Sequence, residues 1–477
     1  MNMRNRLKYI INGFVDETYN PILDTDSYKL SHFKQYPPDA HGYYGYLESR
    51  GGEYENVVFF GLQYFMKKYL TKRVTMEHIE EAQEFAALHG EPFNREGWEY
   101  IVNKHGGKFP IRIKAVSEGS VIPTHNILLS LESTDDEVFW VASFLETMIV
   151  RAVWYPTTVA TISFHVKKLL ENYHNMTEGN TDAVPFSLHD FGARGVSSYE
   201  SSAIGGASHL VNFMGSDTVA GVRLANKYYG VSGKMAGFSI PASEHSTMTS
   251  WGRDGEEDAY RNMLNAYGEE GSIFACVSDS YDIFKATESL WGDKLREEVI
   301  KSGVTLVVRP DSGDPKTVVT KLIQILEQKF GSIVNDKGYK VLNYVKIIQG
   351  DGVNPKSIHD ILEAITGLGF SASNIAFGMG GGLLQQLDRD TQKFALKCSS
   401  IQRDGIWHDV YKEPATDPGK NSKAGKLVLV KEGGQIKTIR KSEFNRETQE
   451  SMLETVFEDG NILKTYTFDE VRENSNR

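Results

Sequence analysis

Cysteine is nearly absent from this 477-residue chain: only Cys276 and Cys398 occur, and neither stands at metal-ligand spacing. A disulfide framework is thereby excluded, one bridge at most being available, and the scarcity suits a reducing cytosol. No block of basic residues offsets the formal net charge of -11, which argues against nucleic acid as a partner. A long uninterrupted hydrophobic run is missing as well. The most apolar stretch, residues 139–155, carries Glu146 and Arg151 and reads as a buried helix, so no membrane partner is expected. The N-terminal "MNMRNRLKYIINGF" lacks the apolar core and small-residue cleavage site of a signal peptide. These absences predict a soluble, cytoplasmic protein.

What is present is ordinary in bulk and ordered in detail. Hydrophobic residues at 40% and charged residues at 24% describe a globular chain long enough for a large domain with a satellite. "TMEHIEEAQEFAALHG" has helical spacing between Thr75 as N-cap and Gly90 as stop. "IRIKAVSEGSVIPTHNILLSLES" alternates and breaks at Gly and Pro like short antiparallel strands, and "KLVLVKEGGQIKTI" is a strand pair turned at Gly433-Gly434. Residues 1–150 and 395–477 therefore read as one discontinuous β-rich satellite domain, and 151–394 as the catalytic domain.

Within 151–394 a rhythm appears. "FSLHDFG", "GFSIPASEHS", "IFACVSDS", "TLVVRPDSG", "KIIQGDG" and "NIAFGMGGG" are short apolar runs closing on Asp, His or Gly, most followed by a helical pattern. Strands apolar throughout are buried on both faces, as parallel strands are. Six such units predict an α/β fold with a (β/α) barrel; a doubly wound sheet is the alternative. His189, Asp190, His245, Asp279, Arg309, Asp311, Asp351 and Gly380 to Gly382 all fall at C-terminal strand ends, the face that carries barrel active sites. Any one of these Asp residues is explained as a helix N-cap; their coincidence at so many strand ends points to an enzyme.

The types of residue narrow the chemistry. Gly380 and Gly381, opening a helix late in the barrel, suit a phosphate, with Arg194 as a charged clamp. Asp279, Asp311 and Asp351 suit Mg2+ or the vicinal hydroxyls of a sugar. Arg389, Lys397, Lys412, Lys420 and Lys423 are basic in an acidic chain, and suit either solvent or a second, highly charged phosphate group. Phosphate, sugar hydroxyls and polyphosphate in that order describe an activated phosphoribosyl donor. "PASEHSTMTSW" sets His245 among hydroxyls as a base, a metal ligand, a phosphate acceptor or a polar helix lip.

The chain resembles the nicotinate/nicotinamide phosphoribosyltransferase family, most closely its nicotinamide-using members. "DTDSYKLSHFKQYPP", "LHDFGARGVSS", "NFMGSDTVAG", "PASEHSTMTSWG", "VSDSYDI", "RPDSGDP", "IQGDGVN", "NIAFGMGGGLLQ", "FALKCS" and "TYTFDEVREN" carry the likeness, in order, over nearly the whole length. The resemblance implies a type II phosphoribosyltransferase barrel that moves the phosphoribosyl group of phosphoribosyl pyrophosphate to nicotinamide. The products are nicotinamide mononucleotide and pyrophosphate, in NAD salvage. It also implies ATP as co-substrate, hydrolysed through a phosphohistidine at His245, Mg2+ at Asp279 and Asp311, and a homodimer with shared active sites.

By the same resemblance, Phe191 and the partner's Tyr28, beside Asp26, sandwich the pyridine ring, Asp217 accepts from the carboxamide, and Arg309 lies beside the ring. Asp311 and Asp351, with Gly350, hold the ribose, while Arg194, Gly380 and Gly381 hold the 5′-phosphate. Arg50, Arg389, Lys397, Lys412 and Lys420 surround pyrophosphate and ATP. From the residues themselves, Glu244 or a nearby carboxylate is expected to orient the His245 imidazole. Ala193 and Ala275 depart from the family pattern, replacing an aromatic of vertebrate members and a pocket serine, and about ten extra residues precede the shared region. The competing readings are a nicotinate-specific member, disfavoured by Asp217, and a binding protein that keeps only the fold, disfavoured by the intact charged set. Without the resemblance, a phosphate-handling barrel hydrolase or aldolase would fit, though no strand-end lysine supports a Schiff base.

Overall fold

The computed structural model describes residues 19–416 and 418–477; the extra N-terminal residues lie outside these. Six strands pair in parallel throughout and form the heart of the molecule. In chain order they are β1 (Leu188–Asp190), β2 (Gly215–Ser216), β3 (Ile273–Val277), β4 (Thr305–Arg309), β5 (Val345–Gln349) and β6 (Ile375–Met379). Their spatial order is β2-β1-β6-β5-β4-β3. The register sets Ile347 of β5 beside Val308 of β4 on one side and Ile375 of β6 on the other.

The open edges of β2 and β3 are joined by residues 238–243. Phe238 N donates to Met214 O at 2.8 Å and Phe238 O accepts from Ser216 N at 3.0 Å. Pro241 O then accepts from Ala275 N at 2.9 Å, and Ser243 N donates to Ala275 O at 3.0 Å. The (β/α) barrel expected from the apolar runs is thus present, with two differences. "GFSIPASEHS" closes the ring through isolated bridges rather than a regular strand, since Pro241 has no N–H to give a ladder. "NFMGSDT" supplies the two-residue β2, which no apolar run announced.

Helices follow the strands because their first turns are capped locally. Asp314 accepts from Thr317 N at 3.0 Å and starts Pro315–Phe330; Asn354 accepts from Ser357 N at 3.0 Å and starts Pro355–Gly367. Their apolar stripes, such as Val319, Leu322, Ile323 and Leu326, bury against the strands.

A seven-stranded antiparallel sheet draws on both chain ends, Ala40–Ser49 pairing with Phe394–Arg403 and with Ile127–Ser133. The hairpin at Gly433-Gly434 forms as expected, between Leu427–Glu432 and Gln435–Arg440, in a separate three-stranded sheet. Helix Met76–His89 starts at Thr75, whose side chain accepts from His78 N, and stops at Gly90 with φ 91°. The apolar stretch at 139–155 is helical: Val141–Phe144, then the 32-residue helix Glu146–Thr177. That helix is a strut. Its Met148, Ile149 and Val153 pack with the antiparallel sheet, and its Val159, Ile162, Val166 and Leu170 pack with the barrel.

Candidate active site

The N-cap explanation for the strand-end aspartates fails in this structure. The caps fall to Asp282, Asp314 and Asn354, which leaves the side chains of Asp279, Asp311 and Asp351 for the barrel mouth. There Asp279, with its side chain only 3% exposed, is the hub. Its Oδ2 accepts from Asp311 N at 3.0 Å and from Ser312 Oγ at 2.6 Å, while its Oδ1 faces His245 Nε2 at 2.9 Å. Arg309, the last residue of β4, donates to Asp311 Oδ1 from Nη2 at 2.8 Å and from Nε at 3.2 Å. The other oxygen, Asp311 Oδ2, lies 3.8 Å from His245 Nδ1.

His245 opens the short helix His245–Thr249 and is itself exposed. The hydroxyls around it are spent on the local turn. Ser246 Oγ donates to the Glu244 carboxylate, Thr247 Oγ1 to Glu244 O at 2.9 Å, and Thr249 Oγ1 to His245 O at 2.7 Å. The carboxylate that meets the imidazole is therefore Asp279, and Glu244 belongs to its own turn. A histidine held by a carboxylate at one nitrogen keeps the other for chemistry.

The residues expected to meet the pyridine ring are Phe191, Arg309 and Asp217. The Arg309 guanidinium carbon sits 5.4 Å from the Phe191 ring centroid, within range of a cation–π contact. Space for that ring is made by glycine: a Cβ on Gly378 would stand 2.0 Å from the ring, and one on Gly350 3.3 Å from it. Asp217, just past the C-terminal end of β2, is exposed and accepts from Ser239 Oγ at 2.6 Å. His189, on the inward face of β1, is held below the ordinary histidine range by burial, the Asp217 charge opposing. The interior behind them is lined by Ala275, Val307 and Ile348, with Phe191, Ile240 and Ala376 against them; Ala275 is thus a wall residue, while Ala193 lies on the exposed turn after Phe191.

The glycine turn follows β6. Gly380 O accepts from Leu383 N at 3.0 Å and Leu384 N at 3.1 Å, starting the short Gly381–Leu384 helix. Arg194 stands exposed on the neighbouring turn. Asp351 is exposed beside Gly350, and its main-chain oxygen is pinned by Gln349 Nε2 at 2.7 Å.

Four of the remaining candidates gather around Lys397, on strand Phe394–Arg403 of the antiparallel sheet. Burial holds the Lys397 ammonium below its ordinary range; Glu146 opposes this, while Arg50, Lys412 and Arg389 add to it, so these four cations share one neighbourhood. Lys29 pairs with Glu146 at 2.5 Å, and Asp26 accepts from Thr147 Oγ1 at 2.6 Å. These contacts rivet Ser27–Lys34 to the start of the strut helix and leave Tyr28 53% exposed, its ring edge-on to His32. Lys420 ends the turn Pro418–Lys420, and Lys423 pairs with Glu48. Among the described residues, no hydrogen bond, ion pair or ring contact joins Tyr28, Arg50, Arg389, Lys397 or Lys412 to His245, Phe191 or Arg309.

No group of three or more His, Cys, Asp or Glu side chains that could hold a metal occurs among the described residues. Both Asp279 oxygens are engaged, and Asp311 Oδ2 is the one oxygen of the pair without a protein donor in hydrogen-bond range. Sequence reasoning passed over the roles of Ser239, Glu146 and Asp190: Ser239 sits on the strand-closing segment against Asp217, Glu146 at a helix start against Lys29, and Asp190 takes main-chain amides, none of which a motif reveals.

A family model described as "Nicotinate phosphoribosyltransferase (NAPRTase) family" matches residues 186–461, and one described as "Nicotinamide phosphoribosyltransferase, N-terminal domain" matches residues 20–113. The chain is 53% identical, over 95% of its length and 97% of the relative's, to a nicotinamide phosphoribosyltransferase of Xanthomonas campestris. It is 30% identical to one of Acinetobacter baylyi, over 95% and 96% of the two chains. Among solved structures it is similar to a nicotinate-nucleotide pyrophosphorylase of Pyrococcus furiosus (TM-score 0.61, 14% identity, 97% and 96% covered). Human nicotinic acid phosphoribosyltransferase is also similar (TM-score 0.55, 16% identity, 95% and 93% covered). These two likenesses concern the fold.

Proposed function

The chain belongs to the nicotinate phosphoribosyltransferase family and is a phosphoribosyltransferase, and from that premise we propose that its acceptor is nicotinamide. The reaction is then displacement of pyrophosphate from phosphoribosyl pyrophosphate by the pyridine nitrogen, giving nicotinamide mononucleotide for NAD salvage. The observation that carries this reading is Asp217, an exposed carboxylate just past the C-terminal end of β2, braced by Ser239. It attracts a carboxamide N–H and repels the carboxylate of nicotinate. Phe191, with Arg309 over it, supplies a flat face for the ring.

Glycosidic displacement develops positive charge at the ribose anomeric carbon. The Asp311 and Asp351 carboxylates suit that charge and the ribose hydroxyls, and Gly380, Gly381 and Arg194 suit the 5′-phosphate. Positioning supplies the rest of the barrier reduction, and no nucleophile of the protein needs to bond to the sugar. Mg2+, when bound, would neutralise pyrophosphate charge; with Asp311 Oδ2 as the open carboxylate oxygen, the residues suit an ion carried mainly on phosphate oxygens.

The same reading makes His245 the acceptor of the ATP γ-phosphoryl group. With Nε2 donating to Asp279, the Nδ1 lone pair attacks phosphorus, the bond to the bridging oxygen breaks, and ADP leaves. The separation of the barrel mouth from Tyr28 and from the cations around Lys397 supports a homodimer in which each pocket is finished by the partner's copy of them. Steady-state rates with nicotinamide and with nicotinate, each with and without ATP, test the acceptor. Nicotinamide should win by orders of magnitude in kcat/KM and gain from ATP; equal use of nicotinate would refute the reading.

A further inference from the structure

Beneath the acceptor end lies a carboxyl that no step above uses. Asp190 is fully buried. Its Oδ1 accepts from Gly192 N at 2.7 Å and closes the turn that carries Phe191. Its main-chain oxygen accepts from Asp217 N at 3.0 Å and fixes the turn that carries Asp217. Phe191 in turn leans on β6, donating its N–H to Met379 O at 3.0 Å. On the far side Asp190 Oδ2 and the neighbouring Thr218 Oγ1 are both buried without a hydrogen-bond partner among the described residues.

Among the described residues, no cationic side chain bears on this carboxyl. The strut helix brings Tyr155, whose hydroxyl donates to Leu384 O at 2.9 Å instead. Helix Tyr199–His209 brings Gly206, where a Cβ would stand 3.3 Å from Oδ2. The turn after β2 brings Asp217, a second negative charge. Burial pushes the Asp190 carboxyl up to about 6, the Gly192 N–H and the nearby Thr218 hydroxyl, which stops short of a hydrogen bond, pulling it back and the Asp217 charge adding to the rise. An uncompensated buried carboxyl costs stability, and residues kept at such a cost cluster at functional sites.

We propose that the Asp190 side chain is a positioning group for the acceptor, setting the Phe191 face from a buried point beside the turn that carries Asp217. The inference rests on the reading that Phe191 stacks on the pyridine ring and Asp217 takes its amide.

The test is Asp190→Asn, which keeps the shape and removes the charge. A neutral amide oxygen is a weaker acceptor for the Gly192 N–H, so the nicotinamide KM should rise about 3- to 10-fold. The KM for phosphoribosyl pyrophosphate should rise less than that for nicotinamide, since of its contacts only Arg194 stands on the Phe191 turn, while Asp311, Asp351, Gly380 and Gly381 stand at other strand ends. The Tm should rise, because an unpaired buried charge is gone. Asp190→Ala, losing the Gly192 bond altogether, should raise the nicotinamide KM further, by roughly 30-fold or more. An unchanged nicotinamide KM in Asp190→Asn, or a lowered Tm or failure to fold, would overturn the proposal. A wild-type enzyme that does not use nicotinamide would instead remove the acceptor reading itself, and it shows before any variant is compared.

Discussion

His245 Nε2 stands 2.9 Å from Asp279 Oδ1, and the Asp279 side chain is 3% exposed against 46% for His245. A buried carboxylate thus holds an exposed imidazole from below, through the nitrogen that points inward. The nitrogen left open is Nδ1, on the side of Asp311, and the proposed phosphoryl transfer uses that atom. Asp279→Asn should preserve packing yet cut phosphoryl transfer by about 10-fold or more, because the imidazolium formed in the step loses its counter-charge. Single-turnover labelling by ATP measures this, and an unaltered rate would free His245 from its dependence on Asp279.

Asp217→Asn addresses the acceptor. Replacing a charge-assisted amide contact by a neutral one should cost nicotinamide roughly 1 to 3 kcal/mol in kcat/KM. Nicotinate, no longer repelled, should gain in relative terms. A ratio of the two substrates that does not move would remove Asp217 as the discriminating residue.

The proposed sharing of pockets between subunits has a numerical signature. Mixing Tyr28→Ala and Arg309→Ala chains and co-refolding them should return activity from two nearly inactive parents. With random pairing, half the dimers are mixed and each has one intact pocket, so about a quarter of wild-type activity is expected. No recovery would mean that each pocket is built within one chain.

Asp190 makes stability depend on pH in an unusual direction. Its folded-state value, about 6, lies above the unfolded carboxylate value, so the native state binds the proton more tightly. The cost of the charged form is present above about pH 6 and relieved as pH falls, by on the order of 1.4 kcal/mol between pH 8 and pH 5. Other carboxylates act oppositely over the same range, so the quantity to measure is the difference between wild type and Asp190→Asn in urea unfolding. That difference should shrink toward pH 5; a constant gap would mean that Asp190 does not titrate there.

Much of the fold is legible because a parallel strand buried on both faces leaves an unbroken apolar run, as "TLVVR" and "KIIQ" do. β2 is not legible, since Gly215 and Ser216 have no strand propensity and are held by pairing with His189, Asp190 and Phe238. The residues at the barrel mouth could be named from strand ends and from the family resemblance. Their connections could not: that Asp279 rather than Glu244 meets His245 depends on β3 and the closing segment lying side by side. The cations around Lys397 are scattered in sequence from Arg50 to Lys412, and only the pairing of Ala40–Ser49 with Phe394–Arg403 gathers them.

The most direct test of the account is the fate of the γ-phosphoryl group of ATP. Wild-type protein incubated with γ-labelled ATP should acquire label on His245, stable in base and lost in acid as a P–N bond is, with the phosphorus on Nδ1. His245→Ala should take up none and lose ATP hydrolysis, yet retain a slow ATP-independent transfer to nicotinamide, because the Phe191, Asp217 and ribose contacts are untouched. Acid-stable label, or equal label on His245→Ala, would put the phosphate on Ser246, Thr247 or Thr249 and contradict the mechanism at its centre.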